Sequence, residues 1–177
     1  MNPCSIASLN GANRTRLHTD DMAITRRDAI AEDDAFLREV YACVRAQELA
    51  LVPWNDEQRE AFLGMQFDAQ HSHYHAQFPE ASYEIILQES EPIGRFYVHR
   101  MEEEIKVLDL TILPPYRGQG IGTSLMQELM DEGARTGKAV RIWVEQFNRS
   151  QSLFRRLDFS TIQDDGYSYL MEWRPEK

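Results

Sequence analysis

Three glycines stand at alternate positions in Arg117-Gly-Gln-Gly-Ile-Gly-Thr123, just after Pro114-Pro115 and just before an apolar helical period. A loop of this composition turns backbone N–H groups toward one point beside the positive end of a helix, which makes an anion site. Glycine suits the loop because a side chain would block a phosphate or forbid the backbone angle. Arg117 adds a permanent positive charge at the rim. No Gly-Lys-Ser/Thr ending is present for a Walker loop, and Gly118, Gly120 and Gly122 have the wrong spacing for the Gly-x-Gly-x-x-Gly dinucleotide fingerprint. Among the carboxylates, Asp109 lies in a strand-like run between Leu108 and Leu110, an apolar setting that would raise its pKa and suit proton transfer. Glu103 and Glu104 read as a solvated turn, and Asp164 and Asp165 as hairpin chemistry. His71, His73 and His75 alternate, and on a helix His71 and His75 share a face at a spacing that can grip a metal. No acidic or cysteine ligand adjoins them in sequence, so no metal is expected; they read as ordinary solvated histidines.

The elements that must position these residues follow from periodicity. Met22–Arg27 reads as a first strand, and Asp33 and Asp34 precede a helix carrying Phe36, Leu37, Val40 and Val44. A second helix starts near Asn55 and is closed by Pro79. Strands are expected at 83–87, 93–98 and 105–113, with a turn over 88–92. Ile121, Leu125 and Leu129 then recur four apart, and Gly133 and Gly137 mark the end of that helix. A strand at 139–144, a short helix at 149–157 and strands at 160–164 and 167–173 complete the chain. The order β-α-α-β-β-β-α-β-α-β-β indicates one α+β domain over 22–177, with 1–21 as a flexible leader.

The 177 residues give an ordinary soluble composition, 42% apolar and 27% charged. Nineteen Lys and Arg against 29 Asp and Glu leave a net charge of −10, which argues against a nucleic-acid partner and is compatible with a cationic substrate. No apolar run approaches the roughly 18 residues of a membrane span. Cys4 and Cys43 form no disulfide framework, and the first nineteen residues lack the apolar core of a secretory signal. A cytoplasmic protein is the expectation.

Arg-x-x-Gly-x-Gly at Arg117, Gly120 and Gly122, between a strand and an amphipathic helix, resembles the pyrophosphate-binding motif of the GNAT N-acetyltransferase superfamily. The element order is similar too, and Val144-Glu-Gln-Phe-Asn148 through Leu153–Phe159 looks like the family's second conserved block. The resemblance implies a mixed, mostly antiparallel central sheet flanked by helices, with acetyl-CoA as co-substrate. Arg117, Gly118 and the backbone of Gln119, Gly120, Ile121, Gly122 and Thr123 would hold the pyrophosphate. The main chain of Ile112 and Leu113 would meet the pantetheine and acetyl carbonyl, with Asn148 beside the pantetheine arm or simply capping the short helix.

Two positions depart from the pattern. Phe154, placed with the cofactor-binding residues, stands where the family often has a Tyr that protonates the departing thiolate; Tyr116 or water would have to serve instead. Asp158 stands where Gly is usual, at a site that wants a left-handed backbone. Glu145, at the end of a strand where the family's sheet parts, is the first candidate for the base that deprotonates the amine, and Asp109 the second. The implied activity is direct acetyl transfer to the amine of a small molecule or protein, since no Cys or Ser nucleophile sits in the motif region. A non-catalytic acyl-CoA-binding or sensing module is the alternative, and transfer of a larger acyl group a third reading. Pairing through the terminal strands, as many family members do, makes a homodimer possible.

Overall fold

In the computed structural model, which describes residues 23–176, the apolar periods resolve into seven strands and four helices. In chain order these are β1 (Ile24–Asp28), α1 (Asp34–Leu49), α2 (Asp56–Gln77), β2 (Ser82–Gln88), β3 (Glu91–Arg100), β4 (Glu104–Ile112), α3 (Ile121–Thr136), β5 (Ala139–Glu145), α4 (Gln151–Arg156), β6 (Ser160–Asp164) and β7 (Ser168–Trp173). The strands form one sheet in the order β1-β2-β3-β4-β5-β7-β6, antiparallel at every pairing except β4–β5. The expected leader, 1–21, lies outside the described residues.

Local chemistry explains most boundaries. Asn55 caps α2 by accepting from the Gln58 amide at 2.8 Å, while the Gln58 side chain accepts from the Asn55 amide at 3.1 Å. Asp33 makes no such cap on α1. Its buried carboxylate instead takes two hydrogen bonds from Arg27, at 2.6 and 2.7 Å, and one from the Ile30 amide. The β2–β3 turn is tighter than expected. Glu89 and Ser90 alone make it, both in the left-handed region, so Pro92 falls inside β3. Asp158 takes a φ of 61°, as its place after α4 required.

The sheet carries a core on each face. Phe96, Val98, Ile105, Val107, Leu125, Leu129, Ile142 and Met171 belong to the larger core, which α3 and α4 cover. Leu37, Tyr41, Phe67, Ile85 and Tyr97 form the smaller one under α1 and α2. One irregularity decides which way β4 faces along its length. Tyr97 lies opposite Asp109 and Val98 opposite Val107, so Leu108 is a bulge in β4 with no partner across the ladder. Ile105 and Val107 therefore face the larger core, Leu108 packs with the smaller one, and Leu110 and Ile112 return to the larger. The freed Leu108 carbonyl accepts from the Tyr74 hydroxyl of α2 at 3.1 Å.

The parallel pairing stops early. Val107↔Ile142 is its last rung, although β4 continues to Ile112 and β5 to Glu145. Beyond it β4 stays with β3 and β5 with β7. The sheet opens between its two central strands.

Candidate active site

The glycine loop meets this opening. Gly118 (φ 76°) and Gly120 (φ 84°) are left-handed, and a Cβ on either would touch no protein atom within 4 Å. The requirement for glycine is thus conformational on the protein's side and leaves open space in front of the backbone. Gly120 is the N-cap of α3 and has no side chain to donate to, while Ser124 is the first amide to bond into the helix, to the Gly120 carbonyl at 2.9 Å. The amides of Ile121, Gly122 and Thr123 stay outside the helical ladder, at the positive end of a 16-residue helix. A Cβ on Gly122 would sit 3.4 Å from Leu153 and 3.7 Å from Ile112, so this glycine lets α3 pack against α4 and β4. Arg117 folds back, its Nε donating to the Ile112 carbonyl at 2.6 Å with the guanidinium exposed.

Strand parity decides which main-chain groups face the opening. Leu113 donates its N–H to the Ile93 carbonyl of β3 at 2.9 Å, and its own carbonyl accepts from Tyr116 at 3.0 Å. Both groups expected to meet a ligand at Leu113 are thus engaged within the protein. Alternate residues point their amides to opposite edges, so Leu110 and Ile112 present theirs to the open side, consistent with the Arg117 contact at Ile112. Leu110 was missing from the sequence-based site, because the signal lies in the parity that the bulge sets.

α4 is anchored from below. Gln151, buried, spans the Glu145 and Gln146 carbonyls at 3.0 and 2.6 Å, holding the end of β5. Asn148 is exposed and its Oδ1 accepts from the Ser150 amide at 2.9 Å, so it shapes the turn into α4. Phe154 points the other way: it is 2% exposed and packs edge-on against Phe159 in the larger core.

The two candidate bases have different surroundings. Glu145 ends β5, three residues past the last rung of its pairing with β4, so it borders the opening. The Oε1 of Glu145 accepts from Arg45 of α1 and from the Tyr167 hydroxyl of the β6–β7 hairpin, each at 3.2 Å. Its Oε2 accepts from no donor among the described residues. Arg45, also held by Glu48, has its pKa raised overall: burial opposes the shift, and the Glu145 charge, contact with Tyr167 and Glu48 outweigh it. A groove of about 210 Å³ between α1 and α2 is lined by Arg45, Glu48, Tyr41, Leu49, Phe62 and Gln66. Asp109 is not in the apolar setting expected of it. Its Oδ2 accepts from buried Arg95 at 2.7 Å and its Oδ1 from Thr111 at 2.7 Å, leaving the side chain 12% exposed. Glu104, expected in a turn, starts β4 and pairs with Arg141.

A loop with free helix-start amides, set where two parallel strands part, matches a family profile. The profile of the acetyltransferase (GNAT) family covers residues 36–159, well over half of the chain. The chain belongs to the GNAT acetyltransferase family. Among solved structures, this GNAT chain is similar to the PaiA N-acetyltransferase from Thermoplasma acidophilum in complex with coenzyme A, at 20% identity and TM-score 0.64, over 86% of this chain and 99% of that one. An acetyltransferase from Thermus thermophilus aligns at 15% identity and TM-score 0.61, over 86% and 97% of the two chains. One from Streptococcus agalactiae aligns at 17% and 0.59, over 86% and 98%. At these identities the likeness is one of fold. No curated protein matches the sequence.

In this GNAT fold the three alternating histidines belong to α2. His71 and His75 share a face with ring centroids 4.5 Å apart, and His75 stacks on Tyr83 at 4.1 Å. Burial, then the neighbouring His71, hold His75 below the usual histidine range. Among the described residues no three His, Cys, Asp or Glu side chains are grouped to hold a metal, and no helix is long and apolar enough to cross a membrane.

Proposed function

We propose that this chain is an acetyl-CoA-dependent N-acetyltransferase that passes the acetyl group directly to an amine, of a small molecule or of a protein. The observation that carries the reading is the uncapped start of α3, with its left-handed glycines, opening onto the free edge of β4. The amides of Ile121, Gly122 and Thr123 would hold the pyrophosphate, with Arg117 at the rim. The edges of Ile112 and Leu110 would hold the pantetheine and the acetyl carbonyl, and Asn148 would border the arm. Glu145, with Oε2 open at the end of β5 beside the opening, is the base that takes the amine's proton. Asp109 serves as a structural partner of Arg95. The acceptor enters by the groove beside Arg45, where Glu48 and Glu145 outnumber the one guanidinium, a balance that suits an arriving ammonium. A cytoplasmic location accords with the absence of a disulfide framework among its two cysteines.

A second reading, an acyl-CoA-binding module without turnover, rests on Phe154, which has no hydroxyl to offer a leaving thiolate. One experiment separates them. Acetyl-CoA at a hundredfold excess over its dissociation constant adds about 2.7 kcal/mol, on the order of 5–10 °C in Tm. Gly120→Val abolishes that shift, judged against the variant's own ligand-free Tm because valine at φ 84° also strains the backbone. Thiol release over an amine panel then reports transfer. A shift without release from any amine favours the binding module; no shift in the parent overturns both readings.

A further inference from the structure

Phe154 leaves the departing thiolate without a hydroxyl from α4, and the fold supplies one from elsewhere. Tyr167 is 58% exposed in the β6–β7 hairpin, yet its hydroxyl reaches Glu145 at 3.2 Å, at the end of β5 beside the opening. Two anchors set it there. The Tyr167 amide donates to Asp165 Oδ1 at 2.9 Å, and its carbonyl accepts from Gln146 at 2.9 Å, fastening the hairpin to the end of β5. The other hydroxyls are turned to partners other than Glu145. Thr111 donates to Asp109, and Tyr74 donates to the Leu108 carbonyl. Burial pushes Tyr97 up to about 12. Tyr116 is raised by desolvation and by its hydrogen bond with Glu91, at the start of β3. Tyr169, opposite Val144, packs its ring on the larger core.

We propose that the Tyr167 hydroxyl is the catalytic acid that protonates the departing thiolate, an assignment that rests on the acetyl-transfer reading. The arriving ammonium first yields one proton to water through Glu145; the neutral nitrogen then bonds to the acetyl carbon, and the excess proton it carries passes to Glu145 Oε2. The carbon–sulfur bond breaks with its electron pair on sulfur, which takes the Tyr167 proton. The phenolate then recovers the proton that Glu145 received, so both side chains return to their starting state. The charged groups at the Tyr167 hydroxyl are Glu145 from β5 and Arg45 from α1, while Asp165 of its own hairpin holds its amide. Arg45 contacts the hydroxyl and offsets the phenolate charge while it lasts.

Tyr167→Phe is the test, with acetyl-CoA and whichever amine the parent accepts. A thiol with pKa near 8.5 is a tolerable leaving group, so kcat falls by about 10- to 100-fold, the low end for a lost acid. The acetyl-CoA-induced Tm shift stays as in the parent, because an exposed hydroxyl is all that is removed. Parent-like kcat in Tyr167→Phe overturns the assignment while leaving the transfer reading intact. So does a loss that follows Tyr116→Phe or Tyr169→Phe instead. No thiol release by the parent overturns both together.

Discussion

At Gly94 the backbone of β3 runs close against the strand that carries the open edge, and alanine there tests the geometry directly. A Cβ on Gly94 would lie 2.3 Å from the Thr111 carbonyl oxygen and 3.1 Å from the Ile112 Cα, both backbone atoms. Neither can swing aside, so the two strands must separate by about 1 Å to restore an ordinary contact. Overpacking of this kind costs about 1–3 kcal/mol. Weakening the neighbouring Leu113–Ile93 hydrogen bond adds about 1 kcal/mol. At roughly 2–4 °C per kcal/mol for a chain of this size, Tm falls by about 5–15 °C. Because Ile112 moves with the strand, the acetyl-CoA shift should shrink as well. Gly137→Ala is the comparison: that glycine is left-handed (φ 70°) at the far end of α3 and has open space around it, so only backbone strain of about 1 kcal/mol applies. Scanning calorimetry of both variants with and without acetyl-CoA reads the outcome. If Gly94→Ala melts no lower than Gly137→Ala, the close approach of β3 to β4 does not constrain the site and the reasoning is refuted.

Two further predictions use the charged groups. Glu145→Gln should cost about 10²–10⁴-fold in turnover, partly recovered at high pH where the amine is already neutral, with Tm nearly unchanged; Asp109→Asn should instead show in Tm, because breaking a buried pair costs about 3–5 kcal/mol. The reverse pattern would exchange their roles. Arg27 holds Asp33 below the usual carboxylate range, so this pair stabilises the fold above the unfolded pKa of about 3.9 and the benefit is lost as pH falls through it toward the folded value. Asp33→Asn should therefore lower stability by about 1–2 kcal/mol at pH 7, with the gap to the parent closing toward pH 3 in denaturant titrations.

What could be read in the sequence was local. The glycine loop and the helix after it announce themselves within fifteen residues, and Asp158 could be assigned its left-handed backbone from its place after a short helix. The β2–β3 turn could not, since Glu89 and Ser90 carry none of the usual glycine or asparagine signal. Convergence was out of reach as well. Arg45 and Tyr167 meet at Glu145 from positions 100 and 22 residues away, and no period links them. The environment of Asp109 was misread because its partner, Arg95, comes from the neighbouring strand, while Leu108 and Leu110 turn to opposite faces. The main-chain role given to Leu113 failed for a related reason: which edge an amide faces is a matter of counting from the bulge.

That extra residue acts as a phase shifter. Side-chain direction along a strand has a period of two, so one extra residue switches which sequence positions face the core after it. Deleting Leu108 would join Val107 directly to Asp109, with Val107 still opposite Val98 and Asp109 still opposite Tyr97, so both halves of β4 would keep their faces and edges. The loss would be local: the smaller core would lose the Leu108 side chain, and the Tyr74 hydroxyl of α2 would lose the carbonyl it bonds. The bulge thus reconciles two halves of opposite parity, letting Ile105 and Val107 on one side of it and Leu110 and Ile112 on the other all reach the larger core. It also gives α2 a handle on the strand whose far half carries the open edge.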